Sequence, residues 1–96
     1  MIEIRQTEIF SKWFATLRDI RARARIQTRI DRLEAGNAGD VRSVGEGVSE
    51  MKIDYGPGYR VYYIQRGDTL IILLAGGDKK SQAKDIRKAL SIAEQL

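Results

Sequence analysis

The sequence has no cysteine and no histidine, and it has a single proline. Without thiols or imidazoles, the chain excludes disulfides, thiol nucleophiles, the usual zinc sites and every acid–base scheme that depends on histidine. We therefore expect neither a metal ion nor a cofactor. This absence restricts the possible chemistry more than any other property of the composition.

Long apolar runs are also absent. No stretch approaches the ~18–20 consecutive apolar residues that cross a membrane, and the first five residues lack the apolar core of a signal peptide. We expect a cytoplasmic protein that does not bind membranes. A length of 96 residues indicates one domain, covering 1–96.

Positive charge is in modest excess. Seventeen Lys and Arg residues face thirteen Asp and Glu residues, which gives a net charge of +4 and a pI near 9.6. Such a balance favours polyanions or an acidic protein as partners.

The first half of the chain predicts a strand followed by two helices. Residues 2–6 alternate apolar and polar side chains, Thr7 is placed to cap a first helix, and Asp19 is placed to cap a second. The second helix should run to about Ala35 and stop at Gly36. Its core-facing residues are spaced at helical intervals: Ala22, Ile26, Ile30 and Leu33.

Arginines recur along the second helix in an arc next to its apolar face. This stripe is either a surface for phosphates or for an acidic partner, or an ordinary solvated helix face, and the sequence favours neither. Its members are Arg18, Arg21, Arg25, Arg29 and Arg32. Residues 36–47 follow, with four glycines and no periodicity, and predict a loop that leads into the sheet.

The second half predicts an antiparallel meander and a last helix. In the turn Tyr55–Tyr59, Pro57 suits the first central position and Gly58 the second, where φ is positive. Residues 48–55 and 59–66 should form the flanking strands, Gly67 and Asp68 a second turn, and 69–75 a strand buried on both faces. The last helix should begin near 78–81 and bury Ala83, Ile86, Leu90 and Ala93.

These elements define an α+β fold of order β-α-α-β-β-β-α. We expect a mainly antiparallel sheet with helices covering one face, which leaves the other face open for chemistry. Alternation along the strands places Lys52, Arg60 and Tyr62 on that open face. The candidate residues there and nearby are Lys52, Arg60, Lys79, Lys80, Tyr62 and Arg66.

Cations fixed on a sheet suit phosphodiesters, because they stabilise the additional charge of a pentacoordinate transition state. RNA carries its own nucleophile, the 2′-OH, so cleavage requires only alignment, charge stabilisation and proton transfer. The proton acceptor stays open among a lysine with a lowered pKa, Asp54 and Asp78. An outward Arg60 adds little to stability, so we expect Arg60→Ala to leave the fold intact.

The chain resembles the RelE/ParE toxin superfamily of type II toxin–antitoxin systems, and within it the HigB-like addiction module killer proteins. The likeness covers essentially the whole chain. The segments that carry it are Arg29–Leu33, Gly36–Asp40, Val44–Val48, Tyr55–Tyr63, Leu74–Gln82, Asp85–Ile86 and Ala89.

The resemblance implies a RelE-like fold and a toxin neutralised by a protein antitoxin, usually of the helix-turn-helix type. It also implies cleavage of mRNA on the ribosome as the commonest activity. By position, the family's RNA-surrounding basic residues correspond to Lys52, Arg60 and Lys79. The charge pattern of this chain, apart from the resemblance, makes Lys80, Tyr62 and Arg66 near the sheet and Arg21, Arg25 and Arg29 of the stripe the further candidates for RNA contacts.

One family residue has no counterpart here. The tyrosine that RelE-type members carry in the last helix is absent, since the matching region reads Lys84-Asp85-Ile86-Arg87. The ParE-like alternative therefore stays open, in which the same fold inhibits DNA gyrase without cutting RNA. A third alternative is a degenerate toxin that only binds antitoxin.

Overall fold

The structure is a computed structural model that describes residues 2–96, so Met1, which the predicted domain includes, lies outside the described residues. Over the described residues the chain forms five strands and three helices. In chain order these are β1 Glu3–Gln6, α1 Glu8–Thr16, α2 Ile20–Glu34, β2 Val41–Gly45, β3 Val48–Ile53, β4 Tyr59–Arg66, β5 Leu70–Gly77 and α3 Gln82–Glu94.

The strands form one mostly antiparallel sheet in the order β1-β5-β4-β3-β2. The predicted meander of β3, β4 and β5 is confirmed, and β1 pairs in parallel with β5. As expected, β5 lies inside the sheet and carries buried side chains on both faces. The α+β class is confirmed, and the architecture is compatible with a RelE-like fold.

Both predicted helix caps are present. Thr7 Oγ1 accepts a hydrogen bond from the Phe10 amide at 3.0 Å, and Asp19 Oδ1 accepts one from the Arg21 amide at 2.9 Å. These bonds satisfy amide groups that a helix leaves without internal partners at its first turn. At the other end of α2, Gly36 has φ of 90°, as the predicted stop requires.

The predicted loop over residues 36–47 is wrong in its second half, where the chain forms β2. This strand pairs antiparallel with β3, and Arg42 lies opposite Glu50. Glu46 and Gly47, with φ of 53° and 78°, form the tight turn between the two strands. The glycines of this segment serve a hairpin turn, and β2 becomes the edge strand of the sheet.

The two faces of the sheet are both covered, which corrects the expectation of one open face. The first face packs Met51 and Val61 with Phe10 of α1 and Ile26 of α2. On the second face, Tyr62, Ile64 and Leu74 pack against Ala89 of α3. Because β4 and β5 are apolar on both faces, each face requires a helix.

Two local predictions differ from the structure. The Gly58 amide bonds to the Tyr55 carbonyl at 3.1 Å, so Gly56 and Pro57 occupy the central positions of the turn, one residue earlier than predicted. On α3, Ile86, Leu90 and Ala93 are partly buried and pack against the core as predicted, whereas Ala83 is exposed. The most buried positions of the helix, Asp85 and Ala89, were not predicted, and Asp85 lies directly over the backbone of Gly77.

Candidate functional site

A polar cleft of about 350 Å³ opens on the second face of the sheet, between the strands and the start of α3. It lies beside the region that α3 covers, so α3 forms one of its walls. The lining residues come from four neighbouring segments: Asp40, Arg42, Glu50, Lys52, Arg60 and Gln82. Three of the six are cationic, and two are carboxylates.

Lys52 and Arg60 lie directly opposite each other on the antiparallel strands β3 and β4. Opposed residues of such a pair point to the same face, so both side chains enter the same cleft. Lys52 is exposed, whereas Arg60 is only 6% exposed. The sheet thus places one exposed and one buried cationic side chain opposite each other.

Glu50 is the centre of the hydrogen-bond network below the cleft, and it is only 4% exposed. Its Oε1 accepts a bond from Arg42 Nε at 2.7 Å, and its Oε2 accepts bonds from Gln82 Nε2 at 2.9 Å and from the Tyr62 hydroxyl at 3.0 Å. Arg60 Nε lies 4.0 Å from the same Oε2. One buried carboxylate therefore connects β2, β4 and α3.

The network keeps Glu50 ionised. Burial by itself disfavours the carboxylate, but the hydrogen bonds from Arg42, Gln82 and Tyr62 outweigh it and lower the pKa of Glu50. Burial and the bond to Glu50 raise the pKa of Tyr62, so its hydroxyl keeps its proton. Near neutral pH, Glu50 thus carries a fixed negative charge beside the two arginines.

The structure corrects the expectation of an outward Arg60. Its guanidinium is buried, and Nη1 donates to the Gly58 carbonyl, so the side chain folds back against the turn. Within residues 2–96, Arg60 Nε has no hydrogen-bond partner. This Nε is buried and lies 4.0 Å from Glu50 Oε2, so it faces the buried carboxylate.

Lys79 lies in the loop between β5 and α3 and does not line the cleft, so the structure does not bring it together with Lys52 and Arg60 there. Its amide donates to the Pro57 carbonyl at 3.4 Å. Gly58 lies between Lys79 and the Arg60 guanidinium. A side-chain Cβ at Gly58 would be 3.6 Å from Lys79 Cβ and 3.0 Å from Arg60 Nη1. Lys79 is exposed, as is the neighbouring candidate Lys80.

The loop that carries these lysines is closed by Asp78. Its Oδ1 accepts hydrogen bonds from the Lys80 amide at 2.9 Å and from the Ser81 amide at 3.2 Å. This carboxylate had been one possible proton acceptor, but it serves the local turn before α3. Asp54, the other possible carboxylate, lies outside the cleft and lines a groove beside α2.

The remaining predicted RNA contacts fall in different places. Tyr62 is fully buried under the cleft, so its ring is not available to stack on a base, which corrects that expectation. Arg66 lies at the other end of β4 and donates to the Leu96 carbonyl at 3.2 Å. Arg21, Arg25 and Arg29 line the groove beside α2.

Four lining residues were not predicted from the sequence, namely Asp40, Arg42, Glu50 and Gln82. Glu50 is buried together with Val48 and Met51 on β3, and the alternation along this strand gave no indication of how deeply its carboxylate lies. Arg42 was missed together with β2. Gln82 was missed because α3 covers the face of the sheet that was expected to be open.

Among residues 2–96, no group of three or more carboxylates is placed to hold a metal ion. Within the same part of the chain, none of the helices is long and apolar enough to cross a membrane.

The fold and the cleft define a small basic α+β protein with a cationic site built on its sheet. Residues 12–96 match the family described as "Phage derived protein Gp49-like", and the chain belongs to that family. It is a family of toxin-like proteins of toxin–antitoxin systems.

A protein of Haemophilus influenzae (strain Rd), described as uncharacterized, is 47% identical over 95 residues. The alignment covers 99% of this chain and 96% of that protein. No solved structure matches the chain significantly.

Proposed function

We propose that this protein is the toxin of a type II toxin–antitoxin module and that it cleaves mRNA on the ribosome. The observation that carries the proposal is the opposed pair Lys52 and Arg60, whose side chains share one cleft on a sheet. Membership of a toxin-like family supports the same conclusion. The protein then acts in the cytoplasm, where its target is found.

In the proposed reaction the scissile phosphate occupies the cleft. The 2′-oxygen bonds to phosphorus as the bond to the 5′-oxygen breaks, giving a 2′,3′-cyclic phosphate and a 5′-hydroxyl. Solvent water takes the proton of the 2′-OH and supplies one to the 5′-oxygen, so the step balances without a metal ion or a protein nucleophile. Lys52 and Arg60, which line the cleft, stabilise the charge that develops on the phosphate oxygens, whereas Lys79 lies outside the lining and is left to contact a neighbouring part of the RNA.

Glu50 acts as a positioning residue in this scheme. It orients Arg42 by a direct hydrogen bond and holds a negative charge 4.0 Å from Arg60 Nε. A carboxylate with a lowered pKa and three hydrogen-bond donors is a poor proton acceptor. Its contribution is to keep the guanidinium groups fixed before the substrate arrives, so that little reorganisation is needed during the reaction.

The partner that neutralises the toxin is proposed to be a protein antitoxin of the helix-turn-helix type. Its own acidic surface would complement the net charge of +4. Co-expression of the adjacent gene should yield a stable complex and restore growth.

The test is controlled expression of the toxin in bacteria, followed by primer extension on abundant transcripts. The proposal predicts that protein synthesis stops first and that new 5′ ends appear within translated messages. DNA-damage signalling with intact mRNA would contradict it and indicate a gyrase inhibitor. Antitoxin binding without any effect on growth would contradict it in favour of a degenerate toxin.

A further inference from the structure

A second positively charged feature lies beside α2, which packs on the first face of the sheet. It is a groove of about 540 Å³ between α2 and the end of β3. Four guanidinium groups and one carboxylate, that of Asp54, line it. The full lining is Arg21, Ala24, Arg25, Thr28, Arg29, Arg32, Ile53 and Asp54.

Arg25 is held in place at this groove. Its guanidinium carbon lies 4.8 Å from the centre of the Tyr55 ring, a cation–π contact. The Tyr55 hydroxyl donates in turn to Asp19 Oδ2 at 3.0 Å, and Asp19 caps α2. Binding an anion therefore costs less side-chain entropy at Arg25 than at an unconstrained arginine.

Arg29 has a different role from its neighbours. It donates to the backbone carbonyls of Lys52 and Ala38, the latter at 3.1 Å. These bonds tie α2 to the end of β3 and make Arg29 a structural member of the groove. The groups left to contact a ligand are Arg21, Arg25 and Arg32.

The groove and the cleft meet at the end of β3. Lys52 lines the cleft, whereas the next two residues, Ile53 and Asp54, line the groove. The carbonyl of Lys52 is itself held by Arg29. Because successive side chains of a strand point to opposite faces, a flexible chain would pass from the cleft to the groove around the end of β3.

We infer that the groove binds the phosphates of the same RNA strand whose scissile phosphate occupies the cleft, an inference that rests on the proposed function. Arg21 and Arg25 are one helical turn apart, about 6 Å along the axis, and Arg32 follows two turns after Arg25. Their planar guanidinium groups match phosphate oxygens in a bidentate manner. The single carboxylate of the groove lies at its junction with β3.

The test measures binding of fluorescein-labelled single-stranded RNA to the full chain, using a tetranucleotide and a dodecanucleotide. The groove variant is Arg21→Gln with Arg32→Gln, and both side chains are exposed. The matched control is Arg18→Gln with Arg87→Gln, which removes the same charge from exposed residues outside the groove. The dodecanucleotide is long enough to span both sites, and the tetranucleotide is not.

The groove variant should bind the dodecanucleotide about tenfold more weakly and bind the tetranucleotide as the wild type does. Loss of two phosphate contacts should also reduce the slope of log K against log salt by about 1.4. The control should change neither measurement appreciably.

Equal losses in the groove variant and the control would overturn the inference, as would equal losses for both RNA lengths. Independent binding of two tetranucleotides with no gain for the dodecanucleotide would also overturn it, because the groove would then bind a separate strand. So would groove-dependent binding of an acidic peptide without binding of RNA. Wild-type cleavage on the ribosome is assayed separately, so failure of the nuclease proposal is distinguishable from failure at the groove.

Discussion

Arg60 Nε lies 4.0 Å from Glu50 Oε2, and the two side chains are 7% and 4% exposed. The pair connects β3 and β4 directly below the cleft. A buried arginine opposite a buried carboxylate is part of the folded core as well as of the site. Its removal leaves Glu50 with fewer compensating charges in a region of low dielectric.

Arg60→Ala should lower the free energy of unfolding by about 2–4 kcal/mol, because it removes one partner of a buried ion pair. Urea denaturation at neutral pH measures the change. The matched control is Arg66→Ala on the same strand, where the side chain is exposed and the effect should stay within about 0.5 kcal/mol. Equal stability of the two variants would show that the Glu50 pair contributes nothing.

Acid should weaken the network through Glu50. Its folded pKa is lowered, so its contribution to stability is complete above the unfolded value of about 4.3 and is lost as the pH falls through the folded pKa. Glu50→Gln cannot lose this contribution. The stability difference between wild type and Glu50→Gln, measured by urea unfolding, should therefore be largest at pH 7 and shrink towards pH 3. A constant difference across that range would contradict the assignment.

Gly77 should not tolerate a side chain, because a Cβ there would collide with the carboxylate of Asp85. Asp85 accepts a hydrogen bond from Ser81 Oγ and cannot move without breaking it. Gly77→Ala should cost about 1–3 kcal/mol in urea denaturation. The double variant with Asp85→Ala should recover part of that loss, since it removes the colliding group. Additive losses in the double variant would refute the collision.

The hydrogen bonds that Arg29 makes at the groove can be tested through the stability of the fold. Arg29→Gln should destabilise the fold by about 1–2 kcal/mol, because Arg29 bonds to the carbonyls of Lys52 and Ala38. Arg21→Gln, on the same helix and exposed, should have no measurable effect. Thermal unfolding of the two variants separates the structural arginine from its neighbour, and equal melting temperatures would contradict the difference.

Local sequence signals were sufficient for most of the fold. The caps Thr7 and Asp19, the stop at Gly36 and the alternation along β3 and β4 were all readable, because each depends on neighbouring residues. The position of α3 was not, since it depends on which sheet face the chain covers after β5. The edge strand β2 was missed because its glycines also fit a loop.

The same limit applied to the site. Alternation correctly placed Lys52 and Arg60 on one face, but it gave no information on depth, and Arg60 proved to be buried. Glu50 became visible as the centre of the network only when β2, β4 and α3 were assembled around it. These contacts join residues far apart in sequence, which no local pattern reports.

Lys52 gives the most direct test of the account, because it lines the cleft, is exposed and is therefore separable from stability. The measurement is the rate of mRNA cleavage on ribosomes by purified Lys52→Ala, with Lys88→Ala, also exposed, as the control. The account predicts a loss of about 100-fold or more for Lys52→Ala, with unchanged melting temperature and a near wild-type rate for Lys88→Ala. A folded Lys52→Ala protein that cuts mRNA at the wild-type rate would contradict it.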